Sequence, residues 1–143
     1  MPGTQQEIHI AVRPEDFFKV ITDYEDYPNF LAEMEDAKLL SRTGNTAEVR
    51  FSVQLIKRVN YTLILTENAP HSVSWRLKEG PFKISNGSWT LSEREDGSTH
   101  AQYEVEVKVA AFVPKSVSSR IVGKTVPALL AAFKSKAEGL YSL

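Results

Sequence analysis

Apolar and polar positions alternate with period two over most of the chain, as expected of strands that bury one face. From Glu7 to Val12, the residues Ile8, Ile10 and Val12 fall on one side and Glu7 and His9 on the other. Ala37 to Arg42 reads as a second strand. Glu48 to Leu55 is the most regular stretch, with Val49, Phe51, Val53 and Leu55 inward and Glu48, Arg50, Ser52 and Gln54 outward. Tyr61, Leu63 and Leu65 continue the pattern, followed by Val73, Trp75 and Leu77. The last strand runs from Thr99 to Val109, with Ala101, Tyr103, Val105, Val107 and Val109 inward. Turn signals separate these runs at Thr43-Gly44-Asn45, Lys57-Arg58, Asn68-Ala69-Pro70, Gly80-Pro81 and Asp96-Gly97.

One run breaks parity. Phe82 and Ile84 are apolar at even positions, whereas Trp89 and Leu91 are apolar at odd ones. A strand keeps its parity unless a residue is inserted, so the pattern predicts a β-bulge near Asn86-Gly87.

Helical spacing occurs in two places. Pro14 opens the segment PEDFFKVITD, whose acidic first turn suits a helix N-terminus and whose apolar face is Phe17, Val20, Ile21 and Tyr24. A second short helix or turn follows in DYEDYPNFLAEM, broken by Pro28 and rich in aromatic residues (Tyr24, Tyr27, Phe30). The long helix is expected between Pro114 and Tyr141. There Val122, Val126, Leu129, Leu130, Phe133, Ala137 and Leu140 recur at three- and four-residue steps. Pro127 removes a hydrogen bond from a helix interior, so a kink is expected there, while Arg120, Lys124 and Lys134 form a basic opposite face. The sum is an α+β domain: one strand, two short helices, six strands, one long helix. Consecutive strands joined by short turns make an antiparallel seven-stranded curved sheet, and the long helix must cover its apolar face.

Composition narrows the function classes. A chain of 143 residues is expected to form a single domain over 1–143. Its net charge of −1 argues against DNA as a partner, which calls for a basic surface. Charge is uneven, however: Glu15, Asp16, Asp23, Glu25, Asp26, Glu33, Glu35 and Asp36 make the early segment acidic. With no cysteine, disulfides, thiol catalysis and cysteine-held metals are excluded. No run of eighteen apolar residues occurs, and MPGTQQEIHI lacks a signal-peptide layout, so a cytoplasmic location is the expectation.

Candidate chemistry is sparse. His9 and His100 fall on outward positions and His71 in a turn, and none has metal-ligand spacing. No nucleophile elbow, phosphate loop or dinucleotide motif is present, so no metal and no cofactor is expected. The inward set is apolar except for the hydroxyls of Tyr61 and Tyr103 and the indole N–H groups of Trp75 and Trp89. Such groups find a partner inside the protein or on a ligand. Tyr61 and Tyr103 are the candidate proton donors, with no inward carboxylate or lysine to shift them. Glu33, Glu35 and Lys83 are candidates for a cavity rim.

The element order is that of a helix-grip fold, and local motifs agree. DYEDYPNF resembles the early signature of the polyketide cyclase/dehydrase and lipid-transport superfamily, which is START-like. GPFKISNGSWTL resembles the GPF…W stretch of its coenzyme Q-binding branch, and AAFKSKAEGLY resembles that branch's closing helix at Phe133, Ala137 and Tyr141. PKSVSSRIVGKTVPALL departs from that branch and is closer to bacterial cyclase-type members. The resemblance implies a sheet gripping a helix around a hydrophobic cavity. Relatives carry lipids, quinones and polyketides, and a ribosome-associated toxin branch interferes with ribosomal subunits.

The expected function is therefore non-catalytic binding or transport of a hydrophobic small molecule: a quinone, isoprenoid or other lipid. The expected contacts are Phe30, Val49, Phe51, Val53, Tyr61, Leu63, Leu65, Trp75, Leu77, Phe82, Ile84, Trp89, Tyr103, Val105, Val107, Val122, Val126, Leu129, Leu130 and Phe133. Two alternatives stand beside it. One is a polyketide aromatase/cyclase using Tyr61 or Tyr103. The other is an interaction module that docks the basic helix face on a ribosome or membrane surface.

Overall fold

The computed structural model describes residues 3–54, 58–80, 82–109 and 126–141. Strand β1 (Gly3–Ile10) leads into helix α1 (Pro14–Ile21) and a 3-10 helix (Tyr24–Asn29). Six strands follow: β2 (Met34–Thr43), β3 (Thr46–Gln54), β4 (Arg58–Asn68), β5 (Ser72–Glu79), β6 (Phe82–Glu93) and β7 (Thr99–Val109). Helix α2 (Val126–Tyr141) closes the described chain. All seven strands form one antiparallel sheet in the order β1-β7-β6-β5-β4-β3-β2. The first strand thus pairs with the last, while the other six run as a meander.

Local chemistry accounts for the short elements. Pro14 sits at the start of α1, where a missing N–H costs nothing, and Glu15 and Asp16 follow in the first turn. Phe17, Phe18, Val20 and Ile21 are buried beneath it. The Thr22 hydroxyl donates to the Phe18 carbonyl at 2.7 Å and ends the helix. Gly44 and Gly97 adopt positive φ (59° and 86°) at the β2–β3 and β6–β7 turns, where a side chain would be strained.

The expected bulge exists, but elsewhere. Phe82 pairs with Val109 and Ile84 with Lys108, so the inserted residue lies between Phe82 and Ile84, and from Ser85 to Glu93 the register is unbroken. Gly87 has a different reason. It pairs with Trp75, and a Cβ on it would lie 2.7 Å from that indole and 2.3 Å from the Glu104 carbonyl oxygen. Glycine lets an aromatic ring cross the neighbouring strand. Three further irregularities, between Met34 and Asp36, Leu39 and Ser41, and Thr62 and Leu63, were not visible in the alternation. Bulges bend the strands that carry them, here in the pairs β2–β3 and β4–β5.

The C-terminal helix agrees in part. Val126, Leu130, Phe133 and Ala137 are buried. Leu140, assigned to the same stripe, is 56% exposed and stands outside the buried face. Pro127 lies in the first described turn, and the carbonyl four residues before it lies outside the described residues, as does the expected kink. Residues 110–125, with Val122, Arg120 and Lys124, fall outside the described residues. Of the expected basic face, Lys134 is engaged: its ammonium donates to the His9 carbonyl at 2.6 Å and to Glu138 Oε2 at 2.8 Å.

Candidate functional site

Inward residues of the sheet, the inner face of α2 and the chain from α1 to β2 line a partly open cavity of about 310 Å³. Its back wall is Phe51 and Val53 on β3, Tyr61, Leu63 and Leu65 on β4, and Val73 and Trp75 on β5. Ser85 and Trp89 on β6 and Tyr103, Val105 and Val107 on β7 continue it. Helix α2 contributes Val126, Ala128, Leu129, Ala132 and Phe133. The front is built from Ile21, Tyr27, Phe30, Leu31, Ala32, Glu33 and Met34.

Aromatic rings dominate this surface and hold one another in place. Phe133 meets Tyr27, Phe30 and Trp89 edge-on, with centroids 5.2, 5.2 and 5.6 Å away. Trp89 meets Tyr103 at 4.8 Å, and Trp75 lies 5.7 Å from the same tyrosine. Tyr27 stacks on Phe51 at 5.8 Å. Edge-to-face contacts of this kind add to burial and favour particular ring orientations. An apolar pocket holding a few polar atoms is the general form of a small-molecule site.

The polar atoms differ in their commitments. The Tyr27 hydroxyl donates to the Ile21 carbonyl, and the Tyr24 hydroxyl donates to Glu67 at 2.6 Å, behind the wall. Glu67 also receives both guanidinium nitrogens of Arg42, at 2.9 and 3.1 Å. Burial pushes the Tyr61 and Tyr103 hydroxyls well above the usual tyrosine range, with the charge of Tyr61 a smaller contributor at Tyr103. Both remain protonated at neutral pH. The histidines lie away from the cavity: His9 is bonded to the Ser98 hydroxyl at 2.9 Å, His100 faces Glu7 at 3.2 Å, and His71 sits in the turn before β5.

Most of the residues picked from the sequence come together here. Phe30, Phe51, Val53, Tyr61, Leu63, Leu65, Trp75, Trp89, Tyr103, Val105, Val107, Val126, Leu129 and Phe133 line the cavity. Val49, Leu77 and Leu130 do not; they belong to the packed core or its margin. Parity names the face of a sheet, not the depth along it. Leu130 is turned by about 100° from Leu129 around the helix, which takes it from the cavity wall to the core. Val122 and the side chains of Phe82 and Ile84 lie outside the described residues.

The lining residues outside the expected contacts fall into three groups. Tyr27, Leu31, Ala32 and Met34 come from a stretch with no period to read, although its aromatic content was a signal, and Glu33 beside them is the rim candidate. Ile21 and Val73 read as inward without being taken as contacts, and Ala128 and Ala132 flank the helical stripe. Ser85 was hidden by the misplaced bulge: an insertion at 86–87 would turn it outward, whereas the observed one leaves it facing Val107 across the inner face. Glu35, another rim candidate, pairs instead with Arg58 at 3.7 Å.

Comparison with known proteins gives a consistent picture. The family described as polyketide cyclase / dehydrase and lipid transport matches residues 10–134. The match is to the family as a whole and does not select a coenzyme Q-binding branch. The ribosome association toxin RatA of Escherichia coli K12 is 23% identical over 145 aligned positions, covering 99% of this chain and 90% of the relative. Among solved structures, a START superfamily protein from Mycobacterium smegmatis superposes with a TM-score of 0.85 at 20% identity, covering 96% of this chain and 98% of the other. The Zhui aromatase/cyclase from Streptomyces sp. R1128 superposes with 0.82 at 16% identity, covering 95% and 93%. These last two share the fold with this chain.

Proposed function

The chain belongs to the polyketide cyclase / dehydrase and lipid transport family, and from that premise we propose that it is a non-catalytic carrier of a hydrophobic small molecule. The ligand class is a quinone, isoprenoid or other lipid, held between the sheet and α2. One observation carries the reading: a preformed cavity of about 310 Å³ whose walls are almost wholly apolar and aromatic. Each buried CH₂ contributes about 0.8 kcal/mol, and micromolar affinity needs about 8 kcal/mol. A modest apolar body therefore suffices for binding even after ordering costs, without any ionic contact.

Ala132 offers the cleanest test, because it lines the cavity and is small. Ala132→Trp should fill the space and lower affinity for the neutral fluorescent probe N-phenyl-1-naphthylamine at least tenfold. Leu140→Trp, placed at an exposed position, should leave affinity unchanged. Equal binding by both folded variants would count against this cavity as the site.

A second reading draws on the RatA relative, whose similarity spans nearly the whole chain. It makes this protein a ribosome-associated factor. Lys134 is already engaged by Glu138 and the His9 carbonyl, and Arg120 and Lys124, the other cations of the expected basic face, lie outside the described residues. Cosedimentation with ribosomal subunits that is lost in the Arg120→Glu, Lys124→Glu double variant would support it; no cosedimentation at low salt would remove it.

A further inference from the structure

The polar atoms of the cavity narrow what it can hold. Among the described residues, every fully buried side-chain nitrogen or oxygen has a hydrogen-bond partner. Tyr27 and Tyr24 satisfy theirs within the protein. The Tyr103 hydroxyl makes no hydrogen bond among the described residues, although the residue is only 6% exposed. Its oxygen therefore retains open surface, and the space it can open into is the cavity that Tyr103 lines. An enclosed hydroxyl without a protein partner is costly unless something else accepts its proton.

Shape and charge add two restrictions. Tyr103 is wedged between Trp89 and Trp75, so its ring is held and its hydroxyl has a defined direction. The surrounding rings favour offset stacking or edge contact with a flat ligand. About 310 Å³ is at the small end for a ligand pocket, which suits a compact ring system better than an extended acyl chain. A charged group placed among these rings would lose its hydration.

We infer that the cavity selects an uncharged ring compound bearing a carbonyl-type oxygen, and that the Tyr103 hydroxyl is the donor that recognises this oxygen. The inference rests on the carrier reading above and deepens it. Tyr103 stays protonated at neutral pH because burial disfavours its phenolate, so it presents an O–H to an acceptor. Ser85, on the neighbouring strand, is a second hydroxyl on the same wall.

The test compares 2-methyl-1,4-naphthoquinone with 2-methylnaphthalene, which has the same ring skeleton without the carbonyls. Binding is read from the fluorescence of Trp75 and Trp89, which are the two tryptophans of the chain and both line the cavity. The absence of cysteine removes thiol addition to the quinone. Tyr103→Phe should weaken quinone binding about tenfold and leave the hydrocarbon unchanged. The apo variant should unfold at the same temperature as the wild type, since the lost hydroxyl has no hydrogen-bond partner among the described residues to leave behind. An equal change for both probes, or none for the quinone, overturns the inference, as does a drop in apo stability. If the wild type binds N-phenyl-1-naphthylamine but shows no preference for the quinone over the hydrocarbon, the inference fails and the carrier reading stands. If it binds none of the three, both fall.

Discussion

Gly87 shows how much a single residue can constrain the site. Its missing side chain lets the Trp75 indole lie across β6, and that indole is part of the cavity wall next to Tyr103. Gly87→Ala should cost about 1–3 kcal/mol, the usual range for overpacking, because both close neighbours are a backbone carbonyl and a wedged ring. Urea denaturation measures it, and an unchanged midpoint would refute the packing argument. The same residue marks where sequence reading stopped. A glycine at a parity break is equally consistent with a bulge and with a ring crossing a strand. Choosing the bulge at Asn86-Gly87 put Ser85 on the wrong face. The true insertion, between Phe82 and Ile84, carries no glycine to announce it.

At the scale of elements, α2 is attached at one end and lines the cavity at the other. Near its C-terminus, Glu138 Oε2 accepts the Ala11 backbone N–H at 2.9 Å and the Lys134 ammonium at 2.8 Å, and Lys134 reaches the His9 carbonyl. These bonds clamp the helix to the end of β1, while Val126, Leu129 and Phe133 face the cavity. Hydrogen bonds from Lys134 and the Ala11 N–H hold the Glu138 carboxyl below the usual carboxylate range. Its folded-state pKa is thus depressed relative to the unfolded chain. The contribution is fully present above the unfolded value and is lost as pH falls through the folded one. Glu138→Gln should destabilise the protein by about 1 kcal/mol at neutral pH, since the pair is partly solvated. The gap between variant and wild type should close under acid conditions below the usual carboxylate range. A gap that persists there would contradict the clamp. The helix itself was legible from its apolar stripe, but the clamp was not. It joins residues more than a hundred positions apart, and Lys134 read simply as part of a basic face.

For the whole molecule, the order of elements was legible because strands that bury one face must alternate and the one long stripe must cover them. The sheet order follows from that meander, with β1 closing on β7. The cavity was legible only as a face. Inward parity selected Phe51, Tyr61, Trp75, Trp89 and Tyr103, which line the cavity, and also Val49, which packs in the core, as does Leu130 from the helical stripe. Whether an inward side chain meets another or meets open space depends on the distance between helix and sheet, and no local pattern encodes that distance. The front wall, Tyr27 to Met34, has no period at all; its aromatic content singled out Phe30 and its charge Glu33, whereas Leu31, Ala32 and Met34 emerged only from the fold.

The central claim is that this space holds a hydrophobic ligand, and native mass spectrometry of freshly purified protein tests it most directly. The account predicts a second mass at near-stoichiometric occupancy. Solvent extraction should then release a small, uncharged, oxygen-bearing ring compound, and Ala132→Trp protein should lack it. Protein that stays at its apo mass, both as purified and after incubation with a cell lipid extract, would contradict the carrier function.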